Sequence, residues 1–240
     1  MVKQDKSKLD QIKHLLQANA DKAKVKILQS FFKTGKGQYA QGDIFLGITV
    51  PKTRKIAKQF LDLDKEEIIE LLKSKYHEQR LLALLILVEQ FKISDHKVKA
   101  QIYKLYIKHT KYINNWDLVD LTAAKIVGEF LFNTERDLLY KFARSKNLWQ
   151  KRISIVATYY FIRQDDFEDT FEIAKILLKD KHDLIHKAVG WMLREIGKRD
   201  LLKEEYFLRK HYKNMPRIML RYAIEKFPQN IRLKYLKSQI

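Results

Sequence analysis

The segment HKAVGWMLREIGK, residues 186–198, decides the fold, because its pattern returns elsewhere in the chain. EQRLLALLILVEQF (78–91), QKRISIVATYYFIR (150–163) and PRIMLRYAIEKF (216–227) superpose on it, with Arg80, Arg152, Lys187 and Arg217 aligned. The steps between those four residues are 72, 35 and 30 positions, and a helical run that opens at Trp116 fills the longest gap near its middle. Apolar residues recur every three or four positions, the period of an amphipathic helix. A repeat of about 30–40 residues carrying two helices leaves an apolar face that only a neighbouring repeat can cover. The expected architecture is therefore an all-α, HEAT-like helical-repeat solenoid, an α–α superhelix whose concave side forms a basic groove.

The rest of the chain agrees with this reading. Residues 5–34 predict two helices, with Asp21 as the N-cap between them. Pro51 fits the first turn of a helix over 51–63. Helices follow over 65–74, 77–91 and 95–113, and the one at 77–91 is apolar almost all round, so it should lie deep in the core. A continuous helical run is expected from Trp116 to Phe130. Further helices are predicted over 134–145, 147–163, 167–180 and 182–200, then two or three more, including 215–227 after Pro216. With three prolines and seven glycines in 240 residues, no strand is needed, and one domain spanning 1–240 is expected.

The formal charge is +19, spread through the whole chain. A charge this far from zero opposes compaction and so has a use, nucleic acid first and an anionic membrane surface second. The absence of cysteine excludes disulfides, cysteine-based zinc sites and thiol catalysis. Neither a signal peptide nor a run of about 18 apolar residues is found, so the expected location is the cytoplasm, with no membrane span. A monomer is expected, because the repeats cover one another.

Candidate site residues stand out against this background. At about 100° per residue, Trp116 and Asp120 lie one turn apart on one helix face, with Ala123 and Val127 on the same face. Asp120 is then a carboxylate inside an apolar stripe, which costs roughly several kcal/mol unless a cation or hydrogen-bond donors meet it. Arg152 is the reverse case, flanked by Ile155, Val156 and Tyr159, and a guanidinium there wants a phosphate or a carboxylate, Asp120 being one candidate. Trp191 lies off the apolar stripe of its helix (Leu184, Ile185, Val189, Met192, Leu193, Ile196), among Lys187, Arg194, Glu195 and Lys198. An indole among cations suits stacking on a base or sugar with the cations on phosphates, although packing on a neighbouring helix would also explain it. Trp149 reads as core. In the glycine-rich stretch 34–48, which lacks P-loop spacing, Lys36 and Tyr39 are candidates for a phosphate or a base. His182 and His186 are four apart on a helix, but no third ligand accompanies them, so no metal is expected. No cofactor is implied either. The acidic run 165–169 reads as a turn and helix N-terminus.

Together, FLGITVPKTR (45–54), NNWDLVDL (114–121), NLWQKR (147–152), HKAVGWMLRE (186–195) and MPRIMLRYAIEKF (215–227) resemble the AlkD-type DNA alkylation repair family, the HEAT-like-repeat DNA glycosylases. The resemblance covers most of the chain. It implies that Trp116 sets an indole against the lesion and Asp120 is the catalytic carboxylate, that Trp191 completes the aromatic cleft, and that Arg152 and Arg194 contact the DNA backbone. It implies a double-stranded DNA partner carrying alkylated bases, and an open cleft without a deep pocket for a flipped base. The expected reaction is hydrolysis of the N-glycosidic bond of cationic N3- or N7-alkylated purines. Two rivals remain at this point. One is a non-catalytic HEAT-like scaffold that binds nucleic acid. The other is a protein–protein adaptor, which the charge and the surroundings of Trp191 disfavour.

Overall fold

Short polar side chains set where many of the helices begin. The structure, a computed structural model, describes residues 7–240; residues 1–6, including the first two positions of the helical stretch expected from residue 5, lie outside the described residues. Ser7 accepts from the Asp10 backbone N–H and opens α1 (Lys8–Ala18). Asp21, the expected cap, accepts from Ala23 and Lys24 at the start of α2 (Lys22–Phe31). α3 (Val50–Ala57) carries Pro51 in its first turn, where a missing N–H costs nothing. Asp64 and Glu67 form a reciprocal capping box on α4 (Lys65–Leu72). α5 (His77–Ile93) is followed by α6 (His96–Lys108), capped by Asp95, and by α7 (Trp116–Asp120), capped by Asn115. Each such cap stabilises its helix by about 1 kcal/mol.

The chain divides into two compact units, Met1–Thr122 and Ala123–Ile240. The second opens with a π-helical segment, Ala124–Gly128, and continues through α8 (Glu129–Leu131), α9 (Asp137–Ala143), α10 (Leu148–Ala157), α11 (Tyr159–Ile162), α12 (Glu168–Leu177), α13 (Asp183–Gly197), α14 (Leu201–His211), α15 (Arg217–Ala223) and α16 (Gln229–Leu236). The described residues contain no strand beyond an isolated bridge between Ile44 and Tyr76. No helix among them is long and apolar enough to cross a membrane.

In the first unit α5 is the core, as its all-round apolar pattern requires. The run from His77 to Val88 is buried, and α1, α3, α4, α6 and α7 pack around it. In the second unit the repeated segments form a ladder. The π segment packs on α10 and α11, α10 on α13, and α13 on α15, while α9, α12 and α14 pack against the ladder helices. Two glycines set its rungs. A Cβ at Gly128 would lie 2.2 Å from the Ala157 carbonyl oxygen, and one at Gly190 would lie 2.4 Å from that of Met219. Only a residue without a side chain lets the next helix approach so closely.

Among the expected helices that are interrupted, two break in the same way. The run from Trp116 to Phe130 is not continuous: α7 ends at Asp120, Leu121 and Thr122 form a turn, and the chain then rewinds through the π segment. The Thr122 hydroxyl, bonded also to the Tyr106 hydroxyl at 3.0 Å, donates to the Leu118 carbonyl oxygen. Such back-bonding bends helices. Ala123 and Val127 therefore do not continue the Trp116 face; both are fully buried. The same device breaks 147–163 at Thr158, whose hydroxyl donates to the Ile155 carbonyl at 2.7 Å.

Candidate nucleic-acid site

Trp116 and Asp120 line one cavity of about 370 Å³ in the first unit. Its walls are apolar: Leu28 and Phe31 from α2, Phe32, Phe45 and Ile48 from the linker, Leu81 from α5 and Leu121 after α7. Asp120 is half-buried at this wall. The indole of Trp116 is stacked on Phe32, with ring centroids 5.0 Å apart and planes 22° apart, and Phe31 meets it edge-on at 5.6 Å. One face of Trp116 is thus fixed by hydrocarbon, beside a carboxylate. That pairing offers both cation–π attraction and Coulomb attraction to a cationic ring or sugar.

Part of the cavity wall belongs to a buried polar node that joins residues distant in sequence. His77 Nε2 lies 2.8 Å from Asp117 Oδ2 and Nδ1 3.3 Å from Asp43 Oδ2. Arg80 donates to Asp43 Oδ1 at 2.7 Å and to the Ser74 carbonyl at 2.9 Å. Asn114 and Asn115 donate to Asp43 at 3.4 Å each. Burial alone would push the His77 pKa down, but Asp117 and Asp43 outweigh it and hold it up at about 9. Burial works to raise Asp43, yet His77 and Arg80 keep it below the ordinary carboxylate range. Glu78 holds the linker in place by accepting from the backbone N–H groups of Leu46, Gly47 and Ile48, at 2.9, 2.9 and 3.2 Å. Gly47 makes that turn possible: its φ is +87°, and any Cβ would strike the Asp21 carbonyl oxygen.

Sequence reasoning did not single out Asp43, His77, Glu78 and Asp117. A signal existed. His77-Glu78-Gln79-Arg80 is a charged cluster at the head of a helix that is otherwise apolar, and buried charges need partners. Of the linker candidates, Lys36 is exposed and Tyr39 half-buried, while Asp43 of the same stretch binds Arg80.

The second unit carries Arg152, Lys187, Trp191 and Arg194. Arg152 is buried, 5% exposed, and donates to the Leu184 carbonyl at the start of α13. Trp191 is half-exposed, as its position off the stripe predicts; its ring lies 5.9 Å from Tyr159 and its indole N–H donates to Glu195 at 3.1 Å. Arg194 pairs with Glu225 and, at 3.5 Å, with Glu195, while Lys187 pairs with Asp183 at 2.9 Å. Trp149 is buried. His182 caps the Leu184 N–H and His186 bonds the Asp180 carbonyl at 2.6 Å, so both imidazoles serve helix α13. In the acidic run, Asp166 and Asp169 bind Arg136, Asp165 binds Arg199, and Glu168 and Asp169 occupy the first turn of α12.

The all-α repeat architecture has a counterpart among known proteins. The model of the family described as DNA alkylation repair enzyme matches residues 12–227, and the chain belongs to that family. Among solved structures, the chain is similar to a predicted DNA alkylation repair enzyme from Enterococcus faecalis, with a TM-score of 0.69, 15% sequence identity, and coverage of 88% of this chain and 98% of that one. At that identity the likeness establishes the fold. No curated protein matches the chain.

Proposed function

We propose that this protein is a DNA glycosylase that hydrolyses the N-glycosidic bond of positively charged N3- or N7-alkylated purines in duplex DNA. The observation that carries the reading is Trp116 and Asp120 side by side on one apolar cavity wall. An alkylated purine already bears a positive charge, so it leaves without a strong general acid. The barrier is the oxocarbenium-like sugar, as in other glycosyl hydrolysis. A half-buried carboxylate near C1′ stabilises that cation and orients the attacking water, and it does so more strongly where apolar walls exclude solvent. Trp116, held against Phe32, supplies cation–π attraction to the cationic base. Trp191, Lys187 and Arg194 take sugar and phosphates, and Arg152, buried and bonded to the Leu184 carbonyl, supports the start of α13. The base needs no deep polar pocket, and the cavity beside Trp116 has none to offer: its walls are almost wholly apolar. The reaction needs no metal, and the protein works as a monomer in the cytoplasm.

Release of free base from duplex DNA methylated at guanine N7 and adenine N3 tests the reading. Wild type should release base without added metal. Asp120→Asn should slow release by at least roughly 100-fold, the scale of losing a transition-state electrostatic partner, with affinity for undamaged duplex changed far less. Release by both proteins would remove Asp120 from the chemistry. Tight, salt-sensitive binding with release by neither would make the protein a non-catalytic nucleic-acid scaffold.

A further inference from the structure

We propose that His77 is a positioning residue for the Trp116–Asp120 face: buried between Asp43 and Asp117 and covered by Phe32 and Phe45, it fixes the start of α7 and thereby the indole and carboxylate that meet the alkylated nucleotide. The proposal rests on the glycosylase reading for its ligand and on the geometry of the first unit for its mechanism.

Helix α7 has five residues, too few for its own hydrogen bonds to fix its orientation. Its bearing must come from what holds its head. Trp116 stands between two anchored neighbours: Asn115, tied to Asp43, and Asp117, tied to His77. The indole is backed by Phe32, whose ring lies 5.2 Å from that of His77, and Phe45 stacks on His77 at 4.5 Å. His77 therefore touches both supports of Trp116, the polar tie through Asp117 and the aromatic column through Phe32.

The charged groups that face the imidazole are Asp43 from the linker, Asp117 from α7, and Arg80 from its own helix; Glu78 and Asp120 share the cavity wall with it. As an imidazolium, His77 donates one N–H to each carboxylate. A neutral ring has a single N–H and serves only one of them. Loss of the proton thus unties either the linker or the head of α7. The raised pKa of about 9 places that event above neutrality.

The test uses His77→Gln, which keeps one donor and loses the charge, and Asp43→Asn, which keeps the shape of the node. At pH near 7.5, single-turnover base release by His77→Gln should fall by up to roughly 100-fold, the scale of a small misplacement of a reacting group. Its affinity for undamaged duplex should stay within about twofold. The wild-type rate should drop as pH rises through about 9, and the His77→Gln rate should lack that drop. Trp116 emission, read in a Trp149→Phe/Trp191→Phe background, should show a step near the same pH that His77→Gln abolishes and Asp43→Asn moves to lower pH. A wild-type rate and pH profile in His77→Gln would overturn the proposal, as would emission with no step or with a step that Asp43→Asn leaves unmoved. If wild type releases no base, the glycosylase reading fails, while the emission step still decides whether His77 governs Trp116. If His77→Gln does not fold, Asp43→Asn decides it alone.

Discussion

His77 and Glu204 both make the stability of this protein fall as pH rises, His77 by holding a charge in the fold and Glu204 by staying neutral there. The folded pKa of His77 is raised to about 9, so its contribution is fully present below the unfolded value near 6.5 and is lost as pH rises through about 9. Glu204 is buried, 2% exposed, with Oε1 lacking a partner and its side chain packed against Gly197. Burial, then neighbouring Glu205, raises its pKa to about 9, against the pull of Arg194. The folded state therefore keeps a proton that the unfolded chain loses near pH 4.5, and stability falls between those values. At pH 7 the difference amounts to something on the order of 3 kcal/mol. Glu204→Gln removes it, so urea denaturation should find the variant more stable than wild type at pH 7 and level with it near pH 4. A variant less stable than wild type at both pH values would mean that Glu204 carries a bond of its own. Asp120 belongs to a different class: it is half-buried at a cavity wall, and its substitution is expected to act on base release.

Among the helices, the close approach at Gly190 makes a prediction that propensity alone would reverse. Alanine is favoured over glycine within a helix by about 1 kcal/mol. At Gly190, however, the new methyl would meet the Met219 carbonyl oxygen at 2.4 Å and Tyr222 Cβ at 2.5 Å, atoms of α15 that no rotamer change can remove. Overpacking of this kind costs typically about 1–3 kcal/mol or more, so Gly190→Ala should lower Tm in spite of its better propensity. A raised Tm would show that α13 and α15 can part without cost. Such contacts also mark where reading the chain stops working. Helix positions were legible because caps such as Asp21 and Asp64, together with apolar period, are local signals. The breaks at Leu121–Thr122 and Thr158 were not, because a threonine hydroxyl turning onto its own helix leaves the apolar pattern intact. The aligned cations were legible as a set but not by role. Arg80 and Arg152 are buried staples to Asp43 and the Leu184 carbonyl, while Lys187 is half-exposed and Arg217 exposed. Trp116 and Asp120 could be picked out from their spacing of four, whereas the His77 node joins positions 43, 77 and 117, whose proximity exists only after folding.

For the molecule as a whole, the charge of +19 is the property with the widest consequence. It opposes compaction, and surface ion pairs such as Lys8–Asp62 and Lys13–Glu70 contribute little each. Nucleic-acid binding would turn that cost into affinity through release of phosphate counterions, with the logarithm of affinity falling linearly as the logarithm of salt rises. Each cation that contacts a phosphate adds about 0.9 to the slope on duplex DNA. Two kinds of basic residue then separate. Arg217 is exposed, so Arg217→Gln should lower the slope by about one while leaving the melting temperature nearly unchanged. Arg152 is buried and donates inside the protein, so Arg152→Gln should lower stability and base release by more than it flattens the salt dependence. Salt titrations of duplex binding for wild type and these two variants distinguish the roles. A wild-type slope near zero would mean that the charge serves some partner other than the DNA backbone, and the nucleic-acid reading would fail for the molecule as a whole.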